Sequence, residues 1–179
     1  MTPEQRNLAF GLVIVPPSGK AHLSREEFSG KFPSALDDGK LALRLLEEAI
    51  QAQSPDDLEA ALTIGSAFGF SEAHIPPLCE LLGANSHFSH ENIVSILQGL
   101  KAPQAVSALY KAALTAHPYL DYDETFGLAR KCTWALADIG TPAALEKLGL
   151  LVANENPRIA SYAQKRIENW DRERERKGV

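Results

Sequence analysis

The chain of 179 residues is 45% hydrophobic and 23% charged, an ordinary globular composition that excludes a disordered chain. Its formal net charge of −5 argues against nucleic-acid binding, which needs clustered Lys and Arg, and favours a basic partner instead. The apolar stretch LAFGLVIVPP is too short for a membrane span and is closed by prolines, so we expect no membrane association.

Residues 10–15 have a β-rich composition and are expected to be extended or irregular. Helix starts are then indicated by a capping box at Ser24 and by Ser54, Thr141 and Asn156, each of which is followed by proline. Together with the apolar periodicity, these signals predict helices near 24–30, 36–53, 55–69, 72–84, 89–100, 103–116, 124–139, 142–153 and 157–175.

The corner at Thr141-Pro142 matches an earlier corner at Ala102-Pro103 at an offset of 39 residues. The matched apolar positions are Leu97 with Leu136, Ala105 with Ala144, Val106 with Leu145, and Leu109 with Leu148. At an offset of 31 residues, Ile159, Ala163, Ile167 and Trp170 match Leu128, Cys132, Leu136 and Ile139. Self-similarity at this period, with two helices per unit, is typical of an α-solenoid.

The segment ETFGLARKCTWALADIGTPAALEKLGLLVANENPRIASYAQKRIENW resembles HEAT repeats, especially short bacterial repeats related to those of phycobilisome lyases. The resemblance covers residues 55–170. It implies an all-α solenoid of stacked antiparallel helix pairs, whose second helices line a concave surface. We expect corners at 69–71, 101–103 and 140–142 on one edge, with helices 103–116 and 142–153 as parallel neighbours.

A single domain is expected overall, with a short irregular or strand-containing segment at 1–34 and the HEAT-like solenoid at 35–179. The polar tail DRERERK is expected to form a water-facing capping helix. Trp134 lies one position off the apolar stripe of its helix and is expected in the core. Cys79 and Cys132 fall in apolar helical patterns without metal spacing, which predicts buried free thiols and a cytoplasmic protein.

Two local clusters could bind a metal ion. His87 and His90 form an H-x-x-H pair beside Glu91, but a metal site would need a third ligand, so a solvated helix start with Ser89 as its cap is preferred. Asp121 and Asp123 resemble part of a calcium loop without its glycine. A helix N-cap at Asp123 is the alternative. We predict no metal or other cofactor and no catalytic set.

The segment AHPYLDYDETF is inserted between two repeats and combines aromatic with acidic side chains. Such clusters are common at protein contacts, although Tyr119 and Leu120 could instead pack under a neighbouring repeat. We predict a partner surface formed by the insertion and the concave face. The insertion contributes Tyr119, Asp121, Tyr122, Asp123 and Glu124, and the concave face contributes His74, Glu80, Gln104, Lys111 and Glu146.

Proteins that resemble this chain include immunity proteins that block a secreted toxin. The resemblance therefore implies an inhibitor that binds a toxin or effector protein, as a monomer or as a heterodimer with that partner. A general adaptor or scaffold is the alternative, because a HEAT array without a catalytic set can serve either role. An enzyme is less favoured. A HEAT-type DNA glycosylase needs a basic groove, and a lyase needs a chromophore site that nothing in the sequence marks.

Overall fold

The structure is a computed structural model that describes residues 1–15, 19–32, 39–120 and 124–177, and within these ranges it confirms the all-α class. The helices are α1 Pro3–Phe10, α2 Arg25–Lys31, α3 Lys40–Ala52, α4 Pro55–Phe68, α5 Ile75–Leu81, α6 His90–Leu100, α7 Val106–Leu114, α8 Gly127–Ile139, α9 Pro142–Val152, α10 Pro157–Glu168 and α11 Trp170–Lys177. Strands β1 (Ile14–Val15) and β2 (Lys20–Ala21) form an antiparallel pair.

The chain divides into two compact units, Met1–Pro77 and Leu78–Val179. The predicted division between residues 34 and 35 lies outside the described residues. No helix in the described part of the chain is both long enough and apolar enough to cross a membrane.

In the unit Met1–Pro77, α4 packs against α1 and α3. Arg6 of α1 pairs with Asp57 of α4 at 3.0 Å. Phe28 of α2 is fully buried against Phe68 of α4, with ring centroids 5.5 Å apart. The turn before α3 requires glycine, because Gly39 has a φ of +80° and a side chain there would meet a backbone carbonyl oxygen at 2.6 Å.

Several predicted helix boundaries were wrong. The helix α1 was not predicted, although Thr2 and Gln5 form a complete capping box at its start. The helix predicted at 157–175 is two helices, because the chain leaves the helical conformation at Asn169. There the Asn169 side chain donates a hydrogen bond to the Lys165 carbonyl at 2.7 Å and ends α10. 3₁₀ turns at Glu72–His74 and Pro103–Ala105 precede α5 and α7.

In the unit Leu78–Val179, alternate helices contact one another: α6 contacts α8, α8 contacts α10, and α7 contacts α9. Most positions matched in the sequence have matched burial, since Leu97, Leu136, Leu109 and Leu148 are all fully buried. Leu145 differs, because it is half-buried where its counterpart Val106 is buried. Ala105 and Ala144 are fully buried as well. Side chains of this size let neighbouring helices approach closely.

The two matched corners also share one backbone conformation. Lys101 and Gly140 occupy the same position in the 39-residue offset, and both end a helix in the left-handed region, at φ 47° and φ 69°. A left-handed residue after the last helical turn is the usual helix ending, and glycine adopts it without strain. The sequence repeat is therefore a repeat of backbone geometry at this corner.

The last helix faces water as predicted at Asp171, Arg172, Arg174 and Glu175, but not at Glu173. Glu173 of α11 is buried and pairs with buried Arg166 of α10 at 2.8 Å. The Arg166 guanidinium lies 3.5 Å from the ring centroid of Trp134 on α8. Trp134 is consequently half-buried beneath a cation and is not a purely apolar core residue. The cysteines are both free, with Cys132 buried and Cys79 half-buried.

Candidate protein-contact site

The segment before α6 and the segment after α7 meet at the N-terminal end of α6. The segment before α6 carries His87 and Phe88, His90 is the first residue of α6, and the segment after α7 carries His117 and Tyr119. The His90 ring centroid lies 4.2 Å from that of His87 and 3.8 Å from that of His117. We call these three residues the histidine cluster.

His90 is completely buried and uses both ring nitrogens. Its Nε2 lies 2.8 Å from the Ala84 carbonyl oxygen, which can only accept, so Nε2 carries the proton. Its Nδ1 then accepts from the Tyr119 hydroxyl at 2.7 Å. The same hydroxyl accepts a longer bond, 3.4 Å, from the His90 backbone N–H. These bonds hold the Tyr119 side chain against the start of α6.

His87 is bonded in the same manner. Its Nε2 donates to the Leu81 carbonyl at 2.9 Å, and its Nδ1 accepts from the Ser89 backbone N–H at 3.1 Å. The prediction of a solvated helix start at His87 and His90 was therefore wrong, because carbonyl groups near the end of α5 satisfy both imidazoles inside the protein. Ser89 occupies the N-cap position but makes no capping hydrogen bond through its side chain.

Burial favours the neutral form of two members of the histidine cluster, His90 and His87. It lowers the pKa of His90 to about 4, with smaller contributions from the neighbouring His87 and His117. Burial also lowers the pKa of His87. A charged imidazolium could not accept the Tyr119 hydrogen bond at Nδ1, so the neutral form is required for the geometry described.

Phe88 lies beside this network and is 73% exposed. Its ring meets the half-buried Tyr119 ring edge to face, with centroids 5.2 Å apart and planes at 87°. Aromatic pairs favour this arrangement. Phe88 was not among the site residues predicted from the sequence. The available signal was a large apolar side chain between polar neighbours in ANSHFSHEN, without a helical apolar partner.

Acidic residues lie in the first turn of α6 and in the segment before α8. Glu124 is exposed and has a left-handed φ of 56°. The N-cap of α8 is Phe126, which corrects both the predicted helix start at 124 and the Asp123 cap. The Glu91 carboxylate lies close to Gly127 at the first turn of α8 and 3.6 Å from the Lys131 ammonium. A carboxylate at this helix end complements the helix dipole.

Of the remaining predicted site residues, His74, Glu80, Gln104, Lys111 and Glu146 lie within the described residues. Asp121, Tyr122 and Asp123 lie outside the described residues. Glu80, Gln104, Lys111 and Glu146 are exposed, but none of the contacts in the described ranges links them to Phe88 or Tyr119. His74 is 1% exposed in the unit Met1–Pro77, so its predicted partner-facing position was wrong. Its Nδ1 accepts a hydrogen bond from the Ser71 backbone N–H at 3.1 Å, and burial lowers its pKa.

Among the described residues, no three His, Cys, Asp or Glu side chains are arranged to hold a metal ion. Comparisons of the chain with protein-family models, with curated proteins and with solved structures gave no match.

Proposed function

We propose that the protein is a protein-binding module built on a HEAT-like α-solenoid. The alternating contacts α6 to α8, α8 to α10 and α7 to α9 support this architecture, because stacked helix pairs touch their nearest equivalents. The shared left-handed conformation of Lys101 and Gly140 supports it independently.

The binding surface that we propose is centred on Phe88 and Tyr119, and we call it the aromatic surface. The observation that carries this proposal is the exposure of Phe88, which at 73% is the highest among the exposed large hydrophobic side chains of the described residues, together with the packing of its ring on Tyr119. Exposed aromatic side chains that become buried on association contribute a large share of binding energy at protein interfaces.

The hydrogen bonds beneath Tyr119 make this surface rigid before a partner arrives. Tyr119 is fixed to His90 by a bond of 2.7 Å, and Phe88 packs on the Tyr119 ring. A preorganised side chain loses less conformational entropy on binding, which raises affinity for the same buried area.

The partner that fits best is a basic protein. In the sequence, Glu91 follows the first residue of α6, and Asp121, Asp123 and Glu124 follow Tyr119 within five residues, in a protein of net charge −5. Complementary charge accelerates association and selects the partner. We therefore favour an immunity-type inhibitor that neutralises a basic toxin or effector. We place it in the cytoplasm, where free thiols such as Cys132 persist.

Purification of the protein from its native cells, followed by mass spectrometry, should recover a dominant basic protein. The affinity of that protein should then be measured for Phe88→Ala and for Leu150→Ala, which truncates another exposed apolar side chain on α9. We expect Phe88→Ala to weaken binding at least tenfold, about 1.4 kcal/mol, and Leu150→Ala to have less than a twofold effect. Circular dichroism should be unchanged in both variants.

Three results would count against parts of this proposal. Recovery of nucleic acid alone, or of nothing, would refute the protein-binding module. Equal affinities of the two variants would move the contact away from the aromatic surface. If the partner is bound but its expression does not slow growth when this protein is absent, the inhibitor is refuted and an adaptor is favoured.

A further inference from the structure

A second site in the unit Leu78–Val179 lies between α8, α10 and α11. A cavity of about 330 Å³ opens there. Its lining residues are Trp134, Lys165, Arg166, Asn169, Arg172 and Glu173. Three of these six side chains are cationic and one is acidic, so the lining is positive in a protein whose net charge is −5.

Arg166 forms a fixed wall of this cavity. It is 4% exposed, with its guanidinium stacked on Trp134 and its Nη1 bonded to Glu173 at 2.8 Å. The desolvation of this buried group lowers its pKa even though Glu173 acts in the opposite direction. The single carboxylate therefore offsets only part of the cost of burying the charge, and a further anion nearby would be favourable.

The other two cations are brought to the cavity by the break between α10 and α11. The Arg172 Nη2 donates to Asn169 Oδ1, and Asn169 Nδ2 donates to the Lys165 carbonyl. Asn169 thus fixes the guanidinium of Arg172 close to the backbone of Lys165. Within the described ranges, neither the Lys165 ammonium nor the Arg172 guanidinium lies within 4.0 Å of a carboxylate.

We propose that this cavity binds a phosphate dianion, either as free phosphate or as the phosphate group of a small ester. Two cations without a carboxylate partner match the charge of a phosphate group near pH 7. A guanidinium presents several parallel donors to phosphate oxygens, and a lysine adds a mobile point charge. The cavity exceeds the size of one phosphate ion, so an ester could place its organic part beside Trp134.

Isothermal titration calorimetry of the full chain with inorganic phosphate, at ionic strength matched with sodium chloride, tests this site. We expect saturable binding at one site per chain. The variant Lys165→Gln/Arg172→Gln should weaken it at least tenfold. The matched control Arg158→Gln/Arg174→Gln removes two exposed cations from the same two helices, outside the cavity, and should change the affinity less than twofold.

A titration with phenyl phosphate under the same conditions distinguishes a phosphate ester from free phosphate as the ligand. Tighter binding of phenyl phosphate than of inorganic phosphate would assign the site to an ester, and equal affinities would assign it to free phosphate. The proposal is refuted if no saturable heat appears, or if both double variants weaken binding equally, which would indicate only the general charge of the surface. If the double variant loses helicity, Lys165→Gln replaces it, because this exposed ammonium makes no hydrogen bond within the described ranges.

Discussion

Acidification is expected to destabilise the unit Leu78–Val179 through His90. The pKa of this imidazole falls from 6.5 to about 4 on folding, because the ring is buried. The unfolded chain therefore binds more protons than the folded protein between these two values. The stabilisation due to the neutral ring is complete above pH 6.5 and is lost as the pH falls towards 4.

The size of this effect follows from the two pKa values of His90. One pKa unit corresponds to about 1.4 kcal/mol, so the whole difference is on the order of 3 kcal/mol. Between about pH 7 and about pH 5, linkage gives a loss of about 2 kcal/mol in the free energy of unfolding. The pKa of His87 is shifted in the same direction, so it adds to the loss.

Urea unfolding at a series of pH values measures this loss, followed by tryptophan fluorescence, because both tryptophans lie in Leu78–Val179. The side chain in the variant His90→Gln cannot titrate. Between about pH 7 and about pH 5, the free energy of unfolding of this variant should therefore fall by about 2 kcal/mol less than that of the wild type. The control His22→Gln alters an exposed ring in the other unit and should retain the wild-type pH dependence. A His90→Gln curve parallel to the wild-type curve would refute the argument.

Two further predictions concern single groups. Tyr119→Phe leaves a buried imidazole nitrogen without its donor, so the free energy of unfolding should fall by about 1–3 kcal/mol in urea titrations, whereas Tyr110→Phe should change it by less than about 0.5 kcal/mol. Gly39→Ala places a methyl group 2.6 Å from a carbonyl oxygen at positive φ and should lower the stability by about 2 kcal/mol or more. Gly149→Ala, in an open helical position, should be neutral or slightly stabilising in thermal melts, and equal melting temperatures for these two variants would contradict the clash.

The helix starts could be predicted because their stabilising bonds are local. Ser54, Thr141 and Asn156 each accept a hydrogen bond from a backbone N–H two or three residues ahead, as the sequence indicated. The capping box at Ser24 is also present. Matched burial of the repeat positions could be expected for a related reason, since apolar periodicity reports directly on the face that packs.

The histidine cluster could not be predicted, because its partners are distant in the chain. His90 bonds to Ala84 and to Tyr119, the latter 29 residues away, and nothing local distinguishes this arrangement from a solvated turn. Phe88 was missed for the same reason. Its significance depends on the exposure of the ring and on its contact with Tyr119, which only the folded chain defines.

The contacts between alternate helices in Leu78–Val179 also bear on the order in which the chain folds. The main helix contacts in Leu78–Val179 join helices at most three apart in chain order, so most tertiary contacts close short loops. Contacts between residues that are close in the chain favour rapid folding, because little loop-closure entropy is lost when they form. The pair α7 and α8 is therefore expected to form early in folding, and the contact of α11 with α8, which closes a longer segment, is expected to form later.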